Sequence, residues 1–401
     1  MCSSDLMNYR ISSEEVFLKR LGEYVALETP SANAKQIDKI NRMMEEDFRN
    51  AVTGGDFSIS REETAGGDIL IARIPAEKKP HQVLLLGHRD TVFPMGTYEK
   101  NPYREEVLET ADKGAGSQSE PVIILRGTGV LDMKAGDLFA VEIFRHFSGR
   151  LPEDWGIVGV FNGDEEIGSH LSEETIRRFA KESDFCLCLE PSIPGHCTIG
   201  RKGLAGYELT VTGIPAHSGT NYLAGASAIQ ALSRAISEIY SLRNDDQFLS
   251  INIGAIRAEG KANIVCPKAW ATGEARCFDP ELLRETLRKI ETICEMNPVP
   301  NTKISLKIRG IRPPMVQSEE GKHLFDLARE KAAAHGLSLE GRIHGGGSDG
   351  SFVSDEGIPV LDGMGAEGEN AHTFDEYVVK SSIIDRLKTC IDIIEAEVKR
   401  G

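Results

Sequence analysis

At 401 residues the chain is long for a single hydrophobic core, and a formal charge of -16, from 46 basic and 62 acidic side chains, disfavours nucleic acid or an anionic membrane as partner. Its 40% apolar content is that of an ordinary globular protein, and no run reaches the roughly 18 to 20 apolar residues that a membrane span needs. The opening "MCSSDLMNYRISSEEVFLKR" lacks the apolar centre of a signal peptide, so the sequence reads as soluble and cytoplasmic, with two domains.

"EEVFLKRLGEYVALETP" puts apolar residues at helical spacing and stops at Pro30, and "AKQIDKINRMMEEDFRNAV" repeats the pattern before Gly54 and Gly55. Two helices are therefore predicted first. The aliphatic runs "DILIARI", "QVLLLGH", "VIILRGTG", "WGIVGVFNGDEE" and "DFCLCLEP" follow, with helical stretches in "KAGDLFAVEIFRHF" and "SEETIRRFAKES". That alternation predicts an α/β domain with an at least partly parallel sheet. Near Gly203 the character changes. "GYELTVTGIPAH", "SINIGAIRAEG" and "KAWATGEARCF" alternate like half-exposed strands, interleaved with the helical stretches "AGASAIQALSRAISEIYSLR" and "PELLRETLRKIETICEM". The α/β style resumes after "KISLKIRGIRPP", with a helix in "EEGKHLFDLAREKAAAHG", a glycine-rich turn, the short strand "IPVLDG" and a last helix from about Ser382. The expected division is 1–203 and 314–401 for one domain and 204–313 for a smaller domain inserted into it. The eight cysteines form no Cys-x-x-Cys pair and are expected to be buried thiols rather than disulfides or zinc ligands.

Donor residues collect where the aliphatic runs end, the edge at which open α/β sheets carry their sites. They are His88 with Asp90, Asp132, Glu165 with Glu166, Glu190, and His372. Two imidazoles and three carboxylates without thiolates suit zinc, manganese or cobalt, and one carboxylate must bridge if two ions bind. Two such ions about 3.5 to 4 Å apart activate water and polarise a carbonyl. The chemistry also needs a base that is not a ligand. Glu165 beside Glu166 offers one, since adjacent residues leaving a strand can aim one carboxylate at metal and the other at water.

The motifs "GHRDTVFPMGT", "GTGVLDMKAG", "GDEEIGS", "LEPS", "TGIPAHSG", "GGGSDGS" and "HTFDEYV", in that order, resemble those of a co-catalytic metallopeptidase family. It contains carboxypeptidase G-type glutamate carboxypeptidases, aminoacylases, acetylornithine deacetylases and succinyl-diaminopimelate desuccinylases. The resemblance runs from about Leu84 to Val378. It implies a zinc-peptidase-like catalytic domain, a mixed sheet flanked by helices. Into this is inserted an α+β dimerisation and lid domain of four antiparallel strands and two helices. By the same resemblance Asp132 bridges two divalent ions, Zn2+ before Mn2+ or Co2+, and His88 and Glu190 complete the two ion sites, one with each of His372 and Glu166. Glu165 is the implied general base. Asp90 is the residue that fixes the His88 ring, a role also expected because a ligating imidazole normally gives its other N–H to a carboxylate or carbonyl. A cis peptide between Asp132 and Met133 is implied too.

Around the substrate, the resemblance assigns Asn263, Arg276 and Arg312 to the terminal carboxylate or carbonyl. The "GGGSDGS" turn, through Gly346, Gly347 and Ser348, is expected to present backbone N–H groups to a carboxylate. The family commonly shows Asp-x-Arg where this chain has Glu274, Ala275 and Arg276. His217 in "TGIPAHSG" matches a histidine that, in relatives dimerising through the inserted domain, enters the partner's active site and stabilises an oxyanion. A homodimer is thus expected, with the strand near Leu209 to Gly213 as a candidate sheet edge. "HRDTVFPMGT" resembles the glutamate-carboxypeptidase branch more than the deacetylases. The expected activity is release of a C-terminal residue such as glutamate. The alternatives are an N-acyl-amino-acid amidohydrolase and, disfavoured by the presence of Glu165, a metal-binding scaffold without catalysis.

Overall fold

The computed structural model describes residues 9–78, 81–108 and 121–400. Four of the five aliphatic runs, Ile69–Ile74, His81–His88, Trp155–Asn162 and Phe185–Cys188, lie in one six-stranded mixed sheet with Ser58–Glu62 and Val360–Leu361. His81–His88 runs parallel to Trp155–Asn162 on one side and to Phe185–Cys188 on the other, so Leu85 is opposite both Gly159 and Leu187. Val83 to Leu86, Ile157, Val158 and Phe185 to Cys188 are all buried, which is why these strands read as unbroken aliphatic runs. The helix Ala135–Phe147 is buried along almost its whole length, and its Phe144 meets Phe48 of the helix Ala34–Ala51 edge-on at 4.9 Å between ring centroids. Each such side chain contributes about 1.5 to 3 kcal/mol by leaving water.

Polar caps set where helices begin. Ser13 accepts from the Val16 N–H and Asn33 from the Gln36 N–H, while Asp279 caps Pro280–Glu295 with proline as its first residue. The fifth aliphatic run departs from the parallel pattern. Val122–Arg126 pairs antiparallel with Arg104–Leu108 and Tyr377–Val379 in a separate four-stranded sheet, whose hairpin from Gly368–Glu369 to Tyr377–Val379 carries His372 in its loop.

The chain forms two compact units, one of residues 1–199, 317–343 and 348–401, the other of residues 200–316 with 344–347. In the smaller unit four antiparallel strands stand in the order Ser250–Glu259, Lys268–Cys277, Gly203–Thr212, Lys303–Arg312. Ala205, Tyr207, Leu209 and Val211 pack with Leu232 and Ile239 of the helix Ala228–Tyr240 and with Leu283 and Ile290 of Pro280–Glu295. The strand through Leu209 is therefore central, and the expectation that Leu209 to Gly213 forms an edge is corrected. Alternation reports that one face is buried and says nothing of position in the sheet. The edges are Ser250–Glu259 and Lys303–Arg312.

Seven cysteines, Cys186, Cys188, Cys197, Cys266, Cys277, Cys294 and Cys390, are free and buried, and Cys2 lies outside the described residues. Among the described residues no helix is long and apolar enough to cross a membrane.

Candidate active site and metal centre

Three adjacent parallel strands deliver their carboxyl ends to one place. His88 ends the middle strand, Glu165 and Glu166 follow Trp155–Asn162, and Glu190 follows Phe185–Cys188. Asp132 comes from the turn Val130–Lys134, where its peptide bond to Met133 is cis. His372 comes from the hairpin loop with a left-handed φ of 66°.

Asp132 has an imidazole on each oxygen: His88 Nε2 lies 3.0 Å from Oδ1 and His372 Nε2 3.1 Å from Oδ2. Glu190 Oε1 is 3.7 Å from His88 Nε2, and Glu166 Oε2 is 3.1 Å from His372 Nε2. The ligand atoms fall into two groups, His88, Asp132 and Glu190 in one and Asp132, Glu166 and His372 in the other, each within 4.8 Å. This corrects the expectation that His88 and Glu190 belong to different ion sites. The strand of His88 neighbours those that precede both Glu166 and Glu190; what separates the two groups is His372, which arrives from the second sheet beside Glu166.

The electrostatics call for added positive charge. His372 is pushed up to about 11 by its hydrogen bonds to Asp132 and Glu166. Burial alone would lower His88, but Asp132, Asp90 and Glu190 together raise it well above its usual value. Burial opposes ionisation of Asp132 as well, yet the two imidazoles hold it well below the usual carboxylate range. Burial pushes Glu166 up to about 7 against the His372 hydrogen bond, with help from the Asp132 charge. The buried carboxylates thus favour positive charge on their neighbours. Divalent cations would supply that charge through the same lone pairs, so the donor set fits a pair of metal ions.

The supporting residues lie far apart in sequence. His88 Nδ1 is 3.1 Å from the Asp90 carbonyl and 3.4 Å from its carboxylate, so the backbone is the nearer acceptor. The Asp90 carboxylate accepts the N–H of Glu165 and of Glu166, both at 3.2 Å, and the Ser31 hydroxyl at 2.7 Å. One buried side chain thus holds the ligand strand and the turn carrying Glu165. Glu376, fully buried, accepts N–H groups from Gly129, Leu131 and Asp132 at 2.8 to 2.9 Å and so shapes the turn around Asp132. Behind the strand end, Asp137 is fully buried with no hydrogen-bond partner on either carboxylate oxygen. Burial pushes it up to about 8, although the charges of His88, Arg89 and Lys134 pull the other way.

In the smaller unit His217 is exposed, and its Nδ1 accepts N–H groups from Gly219 and Thr220, both at 3.1 Å. With Nδ1 occupied as acceptor, Nε2 carries the proton and is a donor. Ser218 donates to the Asn263 carbonyl at 3.0 Å, which ties exposed Asn263 to the His217 loop. Arg276 is gripped by both oxygens of Glu274, at 2.9 and 3.1 Å, so glutamate here makes a bidentate pair with the guanidinium. Arg312 is buried. Gly346 donates to His344 Nδ1 at 3.0 Å, and Gly347 lies against the Arg312 side chain. Ser348, in the larger unit, is fully buried with its hydroxyl bonded to Asp362, a placement that commits the side chain to the fold.

The model of peptidase family M20/M25/M40 matches residues 84–398. The chain belongs to that family. It is an M20-family hydrolase, a metallopeptidase or amidohydrolase. It is 28% identical to carboxypeptidase G2 of Pseudomonas sp. (strain RS-16) over 382 residues, 92% of this chain and 86% of that one. It is 26% identical over 314 residues to succinyl-diaminopimelate desuccinylase of Methylococcus capsulatus (strain ATCC 33009 / NCIMB 11132 / Bath), covering 74% and 78% of the two chains. Among solved structures it is similar to a tripeptidase from Staphylococcus aureus subsp. aureus Mu50, with a TM-score of 0.72, 23% identity and coverage of 97% and 100%.

In this M20 member nothing local in the sequence marks Ser31 or Asp137 as part of the site. Glu376 alone had a local signal, four residues beyond His372 within "HTFDEYV".

Proposed function

We propose that this M20 hydrolase is a carboxypeptidase that uses two divalent ions, Zn2+ first among them, to release a C-terminal amino acid such as glutamate. The observation that carries the metal reading is Asp132 with an imidazole on each carboxylate oxygen. The similarity to carboxypeptidase G2 along most of both chains favours the carboxypeptidase over other amide hydrolases.

His88, Asp132 and Glu190 would hold one ion and Asp132, Glu166 and His372 the other. Ions held there would supply water activation and polarisation of the scissile carbonyl. Glu165 takes the proton of the attacking water and returns it to the leaving nitrogen. Asp90 orients His88 and the Glu165 turn. His217 donates from Nε2 to the oxygen that gains charge, and Asn263 supports the same carbonyl. Arg276 and Arg312 receive the terminal carboxylate, with Gly346, Gly347 and Ser348 forming the turn beside it.

In this reading residues 1–203 and 314–401 act as the catalytic domain and 204–313 as a dimerisation and lid domain. A homodimer forms through the latter, for which the edge strand Ser250–Glu259, with Ile256 60% exposed, is one available surface. A second reading, an N-acyl-amino-acid amidohydrolase, is favoured by the similarity to succinyl-diaminopimelate desuccinylase.

A panel of peptides and acylated amino acids, each with zinc, manganese or cobalt and each paired with its C-terminal amide, tests these readings. Turnover of peptides with a free terminal carboxylate and little turnover of their amides is expected. Equal rates on acid and amide exclude the carboxypeptidase, and turnover confined to acylated amino acids selects the second reading.

A further inference from the structure

Arg276 and Arg312 occupy one row of the smaller unit's sheet. Both are in register with Leu204, one from each neighbouring strand. Their Cα atoms are therefore two strand spacings apart, about 9.5 Å, and their side chains leave the same face. Both then reach the same turn. Arg276 Nη1 donates to the Gly345 carbonyl at 2.9 Å, and the Arg312 Cδ lies 2.6 Å from where a Cβ on Gly347 would stand. A side chain at 347 would push the arginine stem aside.

A third guanidinium holds that turn. Arg201 is 6% exposed, and its Nη1 lies 3.2 Å from the Gly347 carbonyl and 3.4 Å from the Gly346 carbonyl. Its backbone pairs with Met315, just beyond the end of Lys303–Arg312, so the clamp springs from chain adjoining the Arg312 strand. We propose that Arg201 is a positioning residue, clamping the Gly345–Gly347 turn from its carbonyl side and so setting the spacing at which Arg276 and Arg312 receive a carboxylate. The inference rests on the carboxypeptidase reading for its ligand, but not for its geometry.

Peptide planarity gives the clamp a second effect. A trans peptide points its C=O and N–H in opposite directions, so drawing the Gly346 carbonyl towards Arg201 turns the Gly347 N–H away from it. The Gly346 N–H is already spent on His344. Arginine suits this task better than lysine because its planar, always charged fork can hold several acceptors in fixed directions.

The test uses the acid turned over best in the substrate panel, together with its amide. Arg201→Met should raise KM for the acid about tenfold or more while kcat stays within about threefold, with metal content and the KM for the amide unchanged. Gly347→Ala, which displaces Arg312 and leaves Arg201 in place, should show the same split. An unchanged KM for the acid in folded Arg201→Met overturns the proposal. If that variant does not fold, an unchanged KM in Gly347→Ala does so instead. A crystal structure of Arg201→Lys reads the clamp without any substrate. The separation of the Arg276 and Arg312 guanidinium groups should change by about 1 Å or more, and an unmoved turn overturns the proposal even if the carboxypeptidase reading has failed.

Discussion

The two units differ in how they carry their candidate site residues. In the larger one they are drawn inside: His88, Asp90, Asp132 and Glu190 are all buried, and backbone amides and hydroxyls converge on Asp90 and Glu376. In the smaller one His217 and Asn263 stand in the open, Arg276 is paired with Glu274, and Arg312 is buried. In the proposed reading the difference follows from what each binds. A site for divalent ions needs several carboxylates close together, which is tolerable only where the scaffold holds them and cations neutralise them. In the proposed reading the groups that meet substrate need reach as well as fixation, and Arg276 obtains its fixation from the Glu274 pair while His217 and Asn263 stay exposed.

The largest effect should come from the buried unit. Asp132→Ala removes the only carboxylate common to both ligand groups, so bound metal should fall by about one to two equivalents and activity should vanish. Full metal content by elemental analysis would break the assignment of Asp132 as bridge.

Glu165→Gln separates holding metal from moving protons within the same unit. Metal content should match the parent while kcat falls by about 10² to 10⁴. Parental kcat would reduce Glu165 to an acidic turn residue.

His217→Ala asks whether the exposed unit acts in catalysis at all. Metal content and oligomeric state by light scattering should be unchanged, with kcat lower by about 10². Mixing inactive Glu165→Gln and His217→Ala chains under subunit exchange should restore activity, because one site of a mixed dimer would hold both groups. No recovery despite proven exchange would confine His217 to its own subunit.

The smallest effect concerns stability. Asp137 rises from its ordinary value of 3.8 to about 8 on burial, so the folded chain keeps a proton that the unfolded chain releases. Its stabilising share is full below about pH 4 and is lost as pH rises towards 8. Asp137→Asn should therefore melt within about a degree of the parent at pH 5 and higher by about 2 °C or more at pH 9. Equal differences at both pH values would show that Asp137 is ionised throughout.

The strands, their parallel core and the metal-ligating residue types were legible because local sequence expresses them. Burial on both faces leaves unbroken runs such as "QVLLLGH", and a site at the carboxyl edge leaves His88, Glu166 and Glu190 just past them. Partners separated by long stretches of chain left no such trace. That Ser31 and Asp90 meet across 59 residues depends on the bridge of Pro30 to Thr91, and that Glu376 accepts the Asp132 amide across 244 depends on the pairing of Tyr377–Val379 with Val122–Arg126. The same reason explains the two corrections. Spacing marked His88 and Glu190 as candidate ligands, but the approach of His372 beside Glu166 decided that His88 and Glu190 fall in one ligand group. Alternation marked Gly203–Thr212 as buried on one face, but the strand order decided that it stands at the centre of its sheet. Composition and periodicity record which atoms must leave water. Which of them then meet is fixed by hydrogen-bond pairing between distant strands, a property of the folded chain.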